Sequence, residues 1–260
     1  MANARRTRRR RSPPSRPAAS SSASFETGDI ARRIASGLLA VPGQAAALYR
    51  RLETRAFALG LGKVCRPAAA TVAVGGMSPD CRGRVMLTSW LLGWAGARGV
   101  SAAVAGPTGD GCPPASPFQV LPGTSLDEAG VEAALLSRYT PGGRFLVDAD
   151  PRVAAAAAVR AFAPSLLLLQ DALGDPRLRR DIELAILTPE DLGPGFGRVF
   201  PAGAWRRGPE VLSRAAAFVV HAGPQSLDAA MAAAERRLAG YGKPIFGMTD
   251  RKSTRLNSSH

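Results

Sequence analysis

From residue 70 onward, short continuous apolar runs alternate with longer stretches of helical periodicity. The runs at 70–75 (ATVAVG), 100–105 (VSAAVA), 144–148 (RFLVD), 165–170 (SLLLLQ), 182–187 (IELAIL) and 217–221 (AFVVH), with a short one at 243–246, have strand length. They are apolar throughout rather than at every second position, as expected for strands buried on both faces of a parallel sheet. Residues 84–98, 126–138, 151–162 and 226–239 read as helices. In the first, Met86, Leu87, Trp90, Leu91 and Trp94 fall on one face, which predicts that both tryptophans lie in the core. The fold class is therefore α/β, a mainly parallel sheet with helices on both faces. Such sheets take ligands at the carboxyl ends of their strands.

The 260 residues, 46% hydrophobic, suffice for one such domain and part of a second. The formal charge of +14 is unevenly spread. Residues 1–16 hold seven arginines, and residues 250–260 hold three cations against one Asp; setting these aside leaves +5 for the middle. Lys occurs only three times, and the Arg and Ala excess fits genomic base composition as well as function. Cys65, Cys81 and Cys112 show no C-x-x-C spacing, which argues against a zinc site and a disulfide scaffold. With only His221 and His260 present, a His-rich metal centre is excluded. The most apolar stretch, Leu87 to Gly106, is interrupted by Arg98 and is a poor transmembrane candidate.

Both ends stand apart. Residues 1–24, rich in Arg, Ser and Pro, bury too little to offset ordering and read as a disordered tail. The tail is open to binding phosphates on nucleic acid or anionic lipid, to a targeting role, to a start assigned too early, or to plain solvation; without an apolar segment after the arginines it is no secretory signal. Residues 28–62 mix apolar positions with Arg pairs, broken at Pro42-Gly43, and read as two amphipathic helices that lie on an anionic membrane surface or pack on their own domain. Residues 68–249 form the α/β domain. Residues 250–260 (DRKSTRLNSSH) resemble the translated read-through of a sequencing adaptor, a scar that replaces the natural carboxyl-terminal part.

The first strand-to-helix turn, Val74 to Met86, has the position of a phosphate loop, where a helix amino end aims N–H groups at an anion. The consensus is G-x-x-x-x-G-K-[ST]. Here Ser78 to Val85 is S-P-D-C-R-G-R-V: Gly83 fits, Arg84 stands at the Lys position, and Val85 stands where a Mg²⁺-binding hydroxyl belongs.

Five segments in register, from about Leu48 to Met248, resemble the tetraacyldisaccharide 4′-kinase family, P-loop enzymes of lipid A synthesis. Ala47–Gly62 is similar to its basic amino-terminal helix, and Val74–Leu92 to its strand, phosphate loop and first helix. Asp127–Glu132 is similar to E-A-G-D-E-P, and Leu169–Leu173 with Arg177–Glu183 to D-D-G-x-Q-H-x-x-L-x-R-D-x-E. Gly195–Gly203 is similar to G-N-G-x-x-L-P-A-G, followed by the pair Arg206-Arg207. The resemblance implies a P-loop NTPase-like fold. It also implies transfer of the ATP γ-phosphate, with Mg²⁺, to the 4′-hydroxyl of an acylated glucosamine disaccharide 1-phosphate, by a peripheral protein on the cytoplasmic face of the bacterial inner membrane. Its partners are then that lipid and the membrane surface, with no specific nucleic acid.

Carried onto this chain, the resemblance assigns Gly75, Ser78, Gly83 and Arg84 to the nucleotide, Asp171 and Glu132 to catalysis and metal, and Arg206 to the substrate. The chain departs from the family at several of these places. Arg84 keeps the charge of Lys but not its compact geometry, and Val85 removes a metal ligand. Asp80 and Cys81 occupy glycine positions, Val131 and Gln170 stand where Asp is expected, and Asp175 replaces a His. Plainer roles stand beside each assignment: packing for Gly75 and Gly83, a solvated helix position for Glu132 and surface charge for Arg206; Arg177, Arg179 and Arg180 are open equally to binding the substrate phosphate and to a solvated face. Three functions follow: an active lipid-sugar kinase, a pseudokinase that binds nucleotide, lipid A precursor or a partner without transfer, and an anionic-surface or nucleic-acid binder driven by the tail.

Overall fold

The computed structural model describes residues 52, 55–57, 59–79, 81 and 83–250. The expectations for residues 1–24, for most of 28–62, for Asp80 and for 251–260 lie outside the described residues.

Among the described residues eight strands form one sheet: β1 (Ala70–Gly76), β2 (Ala102–Pro107), β3 (Phe118–Val120), β4 (Phe145–Asp148), β5 (Leu166–Gln170), β6 (Ile182–Leu187), β7 (Ala217–His221) and β8 (Ile245–Met248). Their order is β3-β4-β2-β5-β1-β6-β7-β8. Every pairing is parallel except β3 with β4. From β1 onward the α-helices among the described residues are α1 (Gly83–Ala97), α2 (Leu126–Ala129), α3 (Val131–Tyr139), α4 (Pro151–Phe162) and α5 (Leu227–Leu238).

Burial on both sheet faces accounts for the apolar runs. In β5, Leu167 and Leu169 pack with the alanines of α4, while Leu166 and Leu168 pack with residues of α1 and α3. Helix α4 reaches the sheet closely because Ala154, Ala155, Ala157 and Ala158 are its buried residues, and it starts at Pro151 behind an Asp150 cap that accepts from Arg152 N–H. Helix α5 covers Leu187, Phe218 and Val220 on the same face as α4.

Strand β1 is the switch point. The chain leaves β1 through α1 for β2 on one side, and β6, which follows β5, lies on the other side of β1. A crevice opens at the carboxyl ends of the strands at such a point.

Four sequence expectations need correction. The segment read as one helix over 126–138 is two, divided at Gly130, whose φ of 76° breaks the helical path. The runs read at 100–105 and 243–246 are paired two residues later. Strand β3 escaped the sequence because three residues carry too little pattern. Trp90 and Trp94 are not core: they are 64% and 41% exposed. The buried residues of α1 are Gly83, Arg84, Val85, Leu87, Thr88 and Ala95, so small residues face the sheet and the large rings turn outward. Periodicity located an apolar stripe but could not tell which edge of it would dock.

Candidate functional site

A cleft of about 250 Å³ lies over the carboxyl ends of β1, β2 and β5. Gly76, Pro107, Gln170, Asp171, Arg206 and Arg207 are among its lining residues. The turn from β1 into α1 forms one border, as its position between strand and helix required.

Arg84 lies in the first turn of α1 and is 3% exposed. Its Nη1 donates to Asp171 Oδ1 at 3.0 Å, and its Nη2 donates to Pro79 O at 2.8 Å and to Glu132 Oε1. The side chain thus curls back over its own loop. Burial by itself lowers the pKa of this guanidinium, but Asp171 and Glu132 outweigh it and hold the value above the ordinary one. Arg84 Nε is buried and has no hydrogen-bond partner within the protein.

Asp171 follows β5 directly, with a left-handed φ of 53°, a conformation that Asp tolerates better than most residues. Its N–H donates to Val74 O at 2.9 Å, which ties it to β1. Its second oxygen accepts from Arg206 Nη1. Arg206 is held in turn by its backbone N–H, which donates to Met77 O at 2.8 Å. Glu132, in the first turn of α3, is brought in by the break at Gly130; its side chain is 40% exposed. Two carboxylates and two guanidinium groups therefore meet at one edge of the loop.

Ser78 donates to Asp191 Oδ2 at 3.3 Å. Asp191 was not singled out from the sequence. It is 3% exposed and also accepts from Thr188 N–H at 2.9 Å and from Trp205 Nε1 at 2.9 Å. Burial raises its pKa against the pull of these bonds. This network joins the loop at Ser78 to the segment carrying Arg206. A Thr-x-x-Asp spacing after the apolar run of β6 was the available signal.

Gly75 and Gly83 are both close-approach positions. A Cβ on Gly75 would stand 2.5 Å from Leu173 Cβ, and one on Gly83 would stand 3.0 Å from His221 Cβ. Cys81 fills the space beside Gly76 and is 1% exposed. Burial pushes its thiol up to about 12. Gln170, at the end of β5, is 6% exposed, and neither its Nε2 nor its Oε1 has a partner within the protein. Arg180 pairs with Glu183 at 2.9 Å in the interior, Arg177 pairs with Asp175 at 2.7 Å and lines the cleft, and Arg179 is exposed.

The residues assigned to Mg²⁺ do not fit that ion as they stand. Both oxygens of Asp171 and Oε1 of Glu132 accept from guanidinium groups. Val85, at the hydroxyl position, is buried among apolar side chains. Among the described residues no group of three or more His, Cys, Asp or Glu side chains is placed to hold a metal.

Comparisons with known proteins agree with this architecture. The family described as Tetraacyldisaccharide-1-P 4′-kinase matches residues 35–259. The Tetraacyldisaccharide 4′-kinase of Nitratidesulfovibrio vulgaris is 38% identical over 188 residues, 72% of this chain and 53% of that protein. Those of Oleidesulfovibrio alaskensis and Pseudomonas syringae pv. syringae are 35% identical over 188 residues and 33% over 169. The chain spans about half the length of the curated relatives it matches. The crystal structure of LpxK from Aquifex aeolicus in complex with ATP superposes with a TM-score of 0.63 at 14% identity, covering 86% of this chain and 85% of that one; it shares the fold. With a matched span that runs from before β1 to beyond β8, the chain belongs to the tetraacyldisaccharide-1-P 4′-kinase family.

Proposed function

We propose that this chain is the nucleotide- and acceptor-binding part of a tetraacyldisaccharide 4′-kinase, which moves the γ-phosphate of ATP onto the 4′-hydroxyl of an acylated glucosamine disaccharide 1-phosphate. The observation that carries this reading is the meeting of Arg84, Asp171, Glu132 and Arg206 where β1 turns into α1. Phosphoryl transfer asks a protein mainly for positioning and charge neutralisation. Arg84 and Arg206 supply positive charge to the phosphates. Ser78 and the amino end of α1, with Gly75 and Gly83 keeping strand and helix close, shape the loop. Glu132, the more exposed carboxylate, takes the proton of the sugar hydroxyl as the new P–O bond forms and the bond to the β-phosphate oxygen breaks. Asp171 orients both arginines. The fold of the neighbouring ATP complex supports placing the nucleotide at this crevice.

The acceptor lipid implies work at a membrane surface, on the cytoplasmic face of the inner membrane. No helix among the described residues is long and apolar enough to cross a bilayer. The outward Trp90 and Trp94, with Arg98 stacked 5.4 Å from the Trp94 ring centre, suit the interfacial layer. The amphipathic segment 28–62 is assigned to the same surface, and residues 68–249 to the kinase-like domain.

A second reading, binding without transfer, is favoured by one feature: Val85 is buried in apolar contacts where a hydroxyl ligand belongs. Turnover of ATP with purified disaccharide lipid separates the two. Wild-type turnover within about tenfold of an Arg84→Lys, Val85→Thr, Val131→Asp variant supports transfer. Nucleotide binding with turnover lower than the variant's by several orders of magnitude supports the second reading. No nucleotide binding by either protein removes both.

A further inference from the structure

We infer that Arg84 takes the place of the divalent cation, so that this cleft receives nucleotide phosphates without a metal. The inference rests on the reading that the cleft binds nucleotide.

The Arg84 guanidinium lies between two carboxylates, with Nη1 on Asp171 Oδ1 at 3.0 Å and Nη2 on Glu132 Oε1. A magnesium ion held by Asp171 would need an oxygen that already accepts from a guanidinium group, at about 2.0–2.1 Å, and one held by Glu132 would sit beside Arg84 on the same carboxylate. The remaining Asp171 oxygen is bound by Arg206. A cation placed here would therefore lie against one or two guanidinium groups of like charge. The Arg84 side chain is 4% exposed, so it cannot leave its carboxylates for water without a large rearrangement.

The same arrangement suits an anion. A planar guanidinium presents several donors in a fixed fork that matches phosphate oxygens. Arg84 uses Nη1 and Nη2, while its Nε, buried, has no acceptor within the protein. Arg84 stands behind the cleft wall rather than on it, and its charge reaches the cleft through Asp171, which binds its Nη1 and lines the cleft. Arg206, whose side chain is 42% exposed, adds a second cation from the open side. Val85 in the apolar interior completes the picture: the position that would present a hydroxyl to a metal has been given to packing.

Two measurements on the full chain test this. In the first, Mn²⁺ alone is titrated and followed by electron paramagnetic resonance. Wild type is expected to take up none, whereas Arg84→Gln and Arg84→Ala, which uncover the carboxylates, are expected to take up one ion. Uptake by wild type as tight as by a variant overturns the inference, as does a folded variant that takes up none. In the second, a fluorescent ATP analogue is titrated into wild type with Mg²⁺ or with EDTA. Equal affinities, within about threefold, are expected; a loss of about tenfold or more in EDTA overturns the inference. This arm needs no variant and decides the matter if both substitutions unfold the chain. Absence of nucleotide binding in both buffers overturns the nucleotide reading instead, and the Mn²⁺ titration then decides the role of Arg84 by itself.

Discussion

Arg84 and Asp171, 87 positions apart in the chain, are joined by a 3.0 Å hydrogen bond from Nη1 to Oδ1. The bond couples the amino end of α1 to the end of β5. It is worth most where water is least available. Asp171→Asn removes the charge while retaining a residue that accepts positive φ, so it isolates the ion pair from the backbone. It is expected to cost about 1.5–3 kcal/mol in urea unfolding, because a buried guanidinium loses one of its two charged partners. Glu132→Gln, at a 40% exposed side chain, is expected to cost no more than about 1 kcal/mol. Equal losses would contradict the burial assigned to the two contacts.

Asp191 carries a pH signature opposite to that of most structural carboxylates. Its folded pKa lies above the ordinary 3.8 because burial disfavours the charge. Its contribution to stability is therefore complete below 3.8 and is lost as pH rises through the raised value. The stability of wild type minus that of Asp191→Asn cancels the other titrating groups. That difference is expected to shrink as pH rises above about 4. A difference that stays flat or widens would show that Asp191 is fully ionised at no cost.

The three thiols should react in order of access. Cys112 is exposed, Cys65 is intermediate, and Cys81 is buried with its thiol pushed up to about 12. In the native chain a thiol reagent at neutral pH is expected to modify Cys112 first and to leave Cys81 unmodified until unfolding. Rapid labelling of Cys81 would mean that the loop beside Gly76 opens readily.

Gln170 holds a buried carboxamide with no partner within the protein. Gly106 makes room for it, since a Cβ there would stand 2.8 Å from Gln170 Cβ. Gln170→Leu, of similar size, is expected to raise stability by about 1 kcal/mol by removing an unpaired polar group. Thermal unfolding checks the sign; a loss of stability would show that the amide is satisfied.

Trp90→Ala with Trp94→Ala should leave thermal stability nearly unchanged, within about 1 kcal/mol, because neither ring is buried in the core. Core tryptophans would cost about 3–5 kcal/mol each. The same variant is expected to sediment less with anionic vesicles than wild type if the α1 face meets the membrane. Unchanged sedimentation would remove the tryptophans from that role.

The parallel α/β class, seven of the eight described strands and the helix cover of the sheet were legible in the chain itself, because a strand buried on both faces must be apolar throughout and a helix covering it must show a 3.6-residue period. The turn at Ser78–Val85 was legible too, since strand, small residues and helix occur in that order within a few positions. What the sequence could not determine was pairing between distant charges. Local pattern says nothing of whether Glu132 sits in solvent or bonds Arg84, nor that Asp191 reaches back to Ser78. Those contacts depend on the strand order, which sets β5 beside β1 and brings the break at Gly130 over the loop. The tryptophans of α1 illustrate the same division: their spacing marked an apolar stripe, but the close approach of helix to sheet admitted Thr88 and Ala95 and turned the larger rings away.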